Sequence, residues 1–277
     1  MNQNLSCHLY KQDPIRRFWT NLQSIKLSLD KITRLDQIEQ FDQMHYGGNL
    51  ACEEAAKEIG LQEGQSILDI GGGLGGPARF LAHTYGCKIH SVEIQAELAR
   101  THKLLDERCS LSSQISVINT DFLKIGSTKT YDGIVSFLVF LHIKDKQSLW
   151  NKIFRLLKPG ASFCIEDYFL RKPPSTTDLK TMNSTIGIAH LQTESNYKQT
   201  IKNAGLSLKK WEDLSSAWTD WTENRLENYR NQLSQQIVWH GIENCELLMD
   251  FYSAVFLLFK KGVIGGVRVS GTVCNDK

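Results

Sequence analysis

The 277-residue chain has no tract of lysine and arginine, no basic patch interleaved with aromatics, and a formal charge of only +2. A polyanion would find little to hold, so nucleic acid is not expected as a partner or substrate. Long apolar runs are missing as well. The run over 254–259 is far shorter than the roughly 20 residues that cross a bilayer, and Lys11, Asp13, Arg16 and Arg17 stand where a signal peptide would carry its apolar core. The ending Cys274-Asn275-Asp276-Lys277 lacks the aliphatic pair of a prenylation box. The seven cysteines (Cys7, Cys52, Cys87, Cys109, Cys164, Cys245 and Cys274) are odd in number, scattered and without Cys-x-x-Cys spacing. They read as reduced thiols, with neither a disulfide framework nor a zinc site, and no metal is expected. There are no internal repeats and no low-complexity tracts. With 41% hydrophobic and 22% charged residues, these absences lead to the expectation of a soluble, cytoplasmic globular protein with no membrane partner. No feature of the sequence sets an oligomeric state.

What is present is concentrated in Ser66-Ile67-Leu68-Asp69-Ile70-Gly71-Gly72-Gly73-Leu74-Gly75-Gly76-Pro77. An apolar strand runs into glycines and then into a helix-like stretch over 78–85, so the backbone must turn sharply where a ligand can approach its N–H groups. Gly71, Gly73 and Gly76 fit the G-x-G-x-x-G spacing of dinucleotide sites. Asp69, two residues earlier, puts a carboxylate where a pyrophosphate loop usually has an apolar residue. The ligand expected here carries an ammonium or hydroxyls rather than phosphates.

Around this stretch the pattern alternates between strand and helix, which implies right-handed crossovers and a parallel sheet. Strands are expected over 66–70, 88–93, 115–119, 133–137, 161–168, 206–211 and 263–274. Helices are expected over 49–59, 95–109, 146–157 and 197–204, the third stopping at Lys158-Pro159-Gly160. Residues 1–60 read as a helical leader, since Ile25, Leu29, Ile32, Leu35 and Ile38 recur at helical spacing. The leader ends in Phe41-Asp42-Gln43-Met44-His45-Tyr46-Gly47-Gly48, either a plain turn or a lid hinged at its glycines. Residues near 171–194 and 215–261 interrupt the alternation and are expected to form a helical cap on a domain over 61–277.

Glu93 ends the second strand about 20 residues past the first glycine, where a carboxylate accepts from both ribose hydroxyls, with Ile94 beside it. That pair alone also fits NAD. The ordered set Asp-x-Gly-x-Gly-x-Gly after strand one, Asn119-Thr120-Asp121-Phe122 after strand three, Ser136 to His142 at the end of strand four, and Leu156-Leu157-Lys158-Pro159-Gly160 before strand five resembles class I S-adenosylmethionine-dependent methyltransferases. The resemblance implies a Rossmann-like, seven-stranded, mostly parallel α/β sheet flanked by helices. It also implies S-adenosyl-L-methionine held by Asp69, Gly71, Gly73, Gly75, Glu93, Ile94, Asp121, Phe122 and Ser136. The stretches 41–48, 73–81 and Glu166-Asp167-Tyr168 are similar to the sarcosine/dimethylglycine and phosphoethanolamine N-methyltransferases, which implies a small-molecule amine or amino-acid acceptor. The chain departs from the phosphoethanolamine enzymes in lacking their Arg-x-Tyr pair after strand five; His190-Leu191-Gln192 and then Tyr197 stand there instead. That favours an unphosphorylated acceptor.

A bound amine is mostly protonated at neutral pH and unreactive, so a base is needed, and the two candidates are His142 and His45. Each has a packing alternative: His142 as a strand-end residue orienting the cofactor, His45 as a cap on its own loop. Tyr46, Tyr168, Trp218 and Trp221 are candidates for an aromatic wall around an ammonium, with core packing as the alternative. Methylation of carbon or oxygen on a sterol or natural product, and a non-catalytic cofactor-binding module, are the other functional readings.

Overall fold

In the computed structural model, which describes residues 14–126 and 129–273, short apolar strands alternate with helices around one sheet. The strands are β1 (Ser66–Ile70), β2 (Lys88–Glu93), β3 (Ile115–Asn119), β4 (Tyr131–Phe137), β5 (Leu157–Leu170), β6 (Leu206–Asp213) and β7 (Ile264–Val273). They lie in the order β3-β2-β1-β4-β5-β7-β6. β1 pairs parallel with β2 and β4, β2 with β3, and β4 with β5, while β7 runs antiparallel between β5 and β6. The expected sheet is therefore the observed one. Strand order reverses between β1 and β4, and the crevice outside the carboxyl ends of strands at such a reversal is where open α/β sheets take their ligands.

Helices cover both faces. On one, α2 (Gly48–Ile59), α3 (Gly76–Tyr85) and α4 (Ala96–Arg108) bury Ala55, Ile59, Leu81 and Ala99 against Ile67, Ile89 and Val135. On the other, α5 (Lys146–Leu156) and α7 (Glu194–Asn203) bury Trp150, Ile153, Tyr197 and Ile201 against Leu68, Ile134 and Phe163. α5 begins at an Asp145 cap that accepts from the Ser148 amide at 2.9 Å, as an orphaned first-turn N–H requires. It stops at Leu156, one residue earlier than expected, because Leu157 already pairs with Tyr131 of β4; the proline-glycine turn after it bulges out of the ladder, which resumes at Ser162.

The leader corrects the helical reading of residues 25–38. Its α-helix, α1 (Pro14–Ser24), lies earlier in the chain and buries Phe18 and Leu22. Lys26 has a φ of 59°, a left-handed conformation that breaks a right-handed helix. Ile32 and Ile38 then reach the core from short 3₁₀ turns over Leu29–Lys31 and Leu35–Gln37, while Ile25 is 49% exposed. Both isoleucines pack with Leu74, Leu98 and Leu105, which fastens the leader to the glycine loop and to α4. Lys11 and Asp13 in the leader, Cys7, and the expected strand end at Cys274 lie outside the described residues.

Between β5 and β6, α6 (Thr176–Thr181) runs into a single π turn at Met182–Ile186. Between β6 and β7 come α8 (Ser215–Asn231), α9 (Leu233–His240) and α10 (Ile242–Lys260). The two insertions share one apolar cluster: Met182, Ile186 and Leu191 from the first, Trp218, Leu258 and Phe259 from the second, with Tyr46, Leu141 and Tyr168. Among the described residues no helix is long and apolar enough to cross a membrane.

Candidate active site

Four segments meet at the carboxyl ends of β1, β2 and β4. The first is the turn from β1 to α3. The Gly71 amide donates to the Val92 carbonyl at 2.8 Å and the Gly75 amide to Gly72 at 2.8 Å. Most of its glycines answer to protein neighbours. A Cβ on Gly71 would lie 2.2 Å from a Val139 methyl, and one on Gly72 would lie 1.8 Å from Ser91 Oγ. Gly73 is different: its φ is 54° and a Cβ there would meet only Met44 Sδ, at 3.2 Å. Gly73 is thus the loop position most open to a ligand, and the case for one rests on the neighbouring carboxylates.

Those carboxylates are Asp69 and Glu93, both buried. Asp69 accepts from Ser91 Oγ at 2.8 Å, and among the described residues it has no ion-pair partner. Burial pushes its pKa up to about 7, with the nearby Glu93 and Asp106 adding to the rise. Glu93 accepts from the Gly73 amide at 2.9 Å and from the Gln95 amide at 2.8 Å, and burial raises its pKa as well. Two desolvated acids facing a turn of backbone amides suit a ligand that brings a cation and hydroxyl donors. Each carboxylate has about four acceptor positions, so Glu93 keeps capacity beyond its two backbone bonds. Ile94 beside it is exposed, as an apolar surface for a flat ring requires. Asp121 caps its turn through the Leu123 amide at 2.9 Å. Phe122 lies in the core with Ile70 and Val92, beneath the crevice. Ser136 donates to the Ile70 carbonyl at 2.8 Å, so its hydroxyl ties β4 to β1.

The second segment follows β4. His142 ends a 3₁₀ turn and is half-buried, and its Nδ1 donates to the Gly187 carbonyl at 2.8 Å. A carbonyl only accepts, so the neutral ring carries its proton on Nδ1 and its basic lone pair on Nε2. Burial lowers its pKa below the usual range. Two residues with no assigned role in the sequence reading fix this turn. Asp167 accepts from the Leu141 amide at 3.0 Å, and Lys146 donates to the carbonyls of Phe140 and Ile143. Burial moves Asp167 up to about 6 and Lys146 down to about 8.

The third is the end of the leader. Arg79 of α3 is fully buried; it donates to Asp42 at 2.8 Å, to Asp106 of α4 at 2.8 Å and to the Leu74 carbonyl at 2.5 Å. Both acids were invisible as its partners, because Asp42 and Asp106 are 37 and 27 residues away in sequence. His45 is buried and stacks on Phe137 at 4.6 Å; its Nδ1 donates to the Tyr46 carbonyl at 2.9 Å and its Nε2 meets the Gln43 side chain at 2.8 Å. Burial pushes its pKa down to about 4. Both nitrogens are taken up inside its own loop, an arrangement suited to positioning rather than proton removal.

The fourth is the cap. Tyr46 and Tyr168 share a hydrogen bond between their hydroxyls, and Tyr46 packs on Trp218 at 4.7 Å and on Trp221 at 4.6 Å. All four expected aromatics therefore come together. The cation they meet belongs to the chain: Arg225 lies 4.7 Å from the Trp221 ring and 5.3 Å from the Tyr46 ring. Arg225 was missed in the sequence, although Trp218, Trp221 and Arg225 sit at i, i+3 and i+7 on one helical face. Among the described residues no cluster of three His, Cys, Asp or Glu side chains has the arrangement to hold a metal ion.

Comparison with known proteins bears on the family and the fold. Methyltransferase phqN of Penicillium fellutanum is 30% identical over 168 residues, covering 58% of this chain and 52% of its own. Phosphoethanolamine N-methyltransferase 1 of Zea mays is 25% identical over 233 residues, covering 82% and 46%. The chain spans about half the length of these curated relatives. A proposed sarcosine dimethylglycine methyltransferase from Galdieria sulphuraria has the same fold, with a TM-score of 0.73 at 20% identity over 82% of this chain and 84% of that one. The model of the methyltransferase domain family matches residues 44–210, which runs from Met44 of the leader into β6, and the chain belongs to the S-adenosylmethionine-dependent methyltransferase family.

Proposed function

We propose that the protein transfers a methyl group from S-adenosyl-L-methionine to the nitrogen of a small amine or amino acid. The observation that carries this reading is His142, a neutral base with its tautomer fixed by Gly187, in the turn that follows β4 at the strand-order reversal. Asp69, Glu93 and the amides of the glycine turn are the groups that would hold the cofactor, Asp69 toward its ammonium and Glu93 toward its ribose hydroxyls. When bound, the cofactor supplies an electrophilic methyl carried on sulfonium.

The acceptor nitrogen must present a lone pair in line with that methyl. His142 Nε2 takes the amine proton, and its lowered pKa keeps it unprotonated and able to do so at neutral pH. Lys146 and Asp167 keep the His142 turn in place. The cap and the leader loop exclude water, and most of the barrier reduction comes from this positioning, with proton removal adding a smaller factor. The mostly apolar cap cluster, with Leu141, Met182, Ile186 and Leu191, favours one other reading, methylation of carbon or oxygen on a sterol or natural product. A panel of amines, amino acids, sterols and phenols assayed for S-adenosylhomocysteine separates the two. Turnover confined to nitrogen acceptors is expected; turnover only with a sterol or phenol overturns the reading.

A further inference from the structure

The guanidinium of Arg225 is enclosed by rings: Tyr252 at 4.1 Å, Trp221 at 4.7 Å, Tyr46 at 5.3 Å and Phe251 at 5.9 Å. The rings satisfy its faces. They cannot satisfy its edge, because the in-plane N–H groups need oxygen acceptors. Nε and Nη2 are buried with no hydrogen-bond partner, and among the described residues no carboxylate forms an ion pair with Arg225. A buried charged donor left unmade is costly, more so than a neutral one. The two buried arginines have carboxylate partners, Arg79 in Asp42 and Asp106 and Arg268 in Glu166, although Arg79 Nε also lacks a hydrogen-bond partner.

We propose that Arg225 is the anchor for a carboxylate on the methyl acceptor, so that the acceptor is an amino acid and not a simple amine. This rests on the reading of the site as a nitrogen methyltransferase. A carboxylate matches the guanidinium fork in geometry and cancels its single charge. An ammonium in the same place would meet a like charge. The rings that seemed built for a cationic group therefore hold a cation of the protein, and the group they select is an anion. Tyr46 joins this subsite to the rest, since it touches Arg225 through its ring and Tyr168 through its hydroxyl. Trp221, the partly exposed ring of the cage at 37%, is the side chain an entering ligand has to move, and so reports on entry.

The test uses the full chain with adenosylhomocysteine added, titrating C2 to C6 carboxylic acids, with and without an α-amino group, against their primary amides and against phosphoethanolamine, and following tryptophan emission. Saturable binding of carboxylates about tenfold or more tighter than of the matching amides is expected, consistent with a charge-assisted pair. Arg225→Gln should abolish that preference, and Arg225→Lys should restore only part of it. Equal binding of acids and amides by the unsubstituted protein overturns the proposal, as does a preference that survives in Arg225→Gln. Binding of phosphoethanolamine alone also overturns it, in favour of a phosphate subsite. Should Arg225→Gln fail to fold, the acid-against-amide comparison in the unsubstituted protein still decides. A carboxylate preference without any transfer to nitrogen leaves Arg225 in its role and defeats the nitrogen reading instead.

Discussion

The two halves of the crevice treat buried charge in opposite ways. Under the glycine turn, Arg79 is locked between two aspartates and a carbonyl, all within the protein. In the cap, Arg225 sits among rings with part of its edge unmet. Both clusters keep orphaned polar atoms, Arg79 Nε among them; the difference is that Arg79 has its counter-charges inside the fold, whereas Arg225 leaves a ligand to supply one. On the proposed function, the cofactor side is a rigid cradle and the acceptor side a surface finished only when something binds.

The sharpest way to break that contrast is to remove each arginine. Arg79→Met leaves Asp42 and Asp106 buried without a counter-charge, a change that costs roughly 3–5 kcal/mol. At about 2–4 °C per kcal/mol, calorimetry should show Tm falling by about 6–20 °C. Arg225→Met removes an unmet charge and should leave Tm unchanged or raise it. Equal losses in the two variants would mean that Arg225 is scaffold as well.

Next comes the chemistry between the halves. His142→Ala should lower kcat by about 10²-fold or more, the range general bases contribute, with cofactor affinity nearly constant in calorimetry. His142→Asn keeps a polar group without a basic nitrogen. If it retains most of the turnover across pH, His142 only positions the turn and the proton leaves by another route.

Within the cradle, Glu93→Ala should weaken cofactor binding by roughly 1.5–3 kcal/mol through lost charge-assisted hydrogen bonds. Part of that loss passes through Gly73, whose amide Glu93 holds. The smallest effect is in pH. Asp69, pushed up to about 7, is protonated below that value in the free protein, and an ammonium needs it charged. Cofactor affinity should therefore rise with pH from 6 toward 8, by at most tenfold per unit, and level off above. Asp69→Asn should flatten the slope; a slope that persists would point to another group.

The same contrast explains what could be read from the residues. Asp69, the glycines and Glu93 stand on adjoining strands and turns, so spacing alone located β1, β2 and the crevice beside them. The cap site gathers Tyr46, Tyr168, Trp221 and Tyr252 from across the chain. Periodicity showed which faces were apolar but not which of them meet. Arg225 carried no assignment in the sequence for that reason. The leader failed differently: Ile25, Leu29, Ile32, Leu35 and Ile38 have helical spacing, but the left-handed backbone at Lys26 and two short turns deliver Ile32 and Ile38 to the core without an α-helix.

One short segment belongs to both halves. Asp42 is pinned by Arg79, Met44 lies over Gly73, and Tyr46 reaches the cage of Arg225. On the proposed function, this loop roofs the cofactor and walls the acceptor, and it has to stand open while the cofactor enters. Turnover should then follow a fixed order, with the cofactor first on and its demethylated product last off. In steady-state kinetics S-adenosylhomocysteine would compete with S-adenosylmethionine yet inhibit noncompetitively toward the acceptor, so the order of events is written into five residues that perform none of the chemistry.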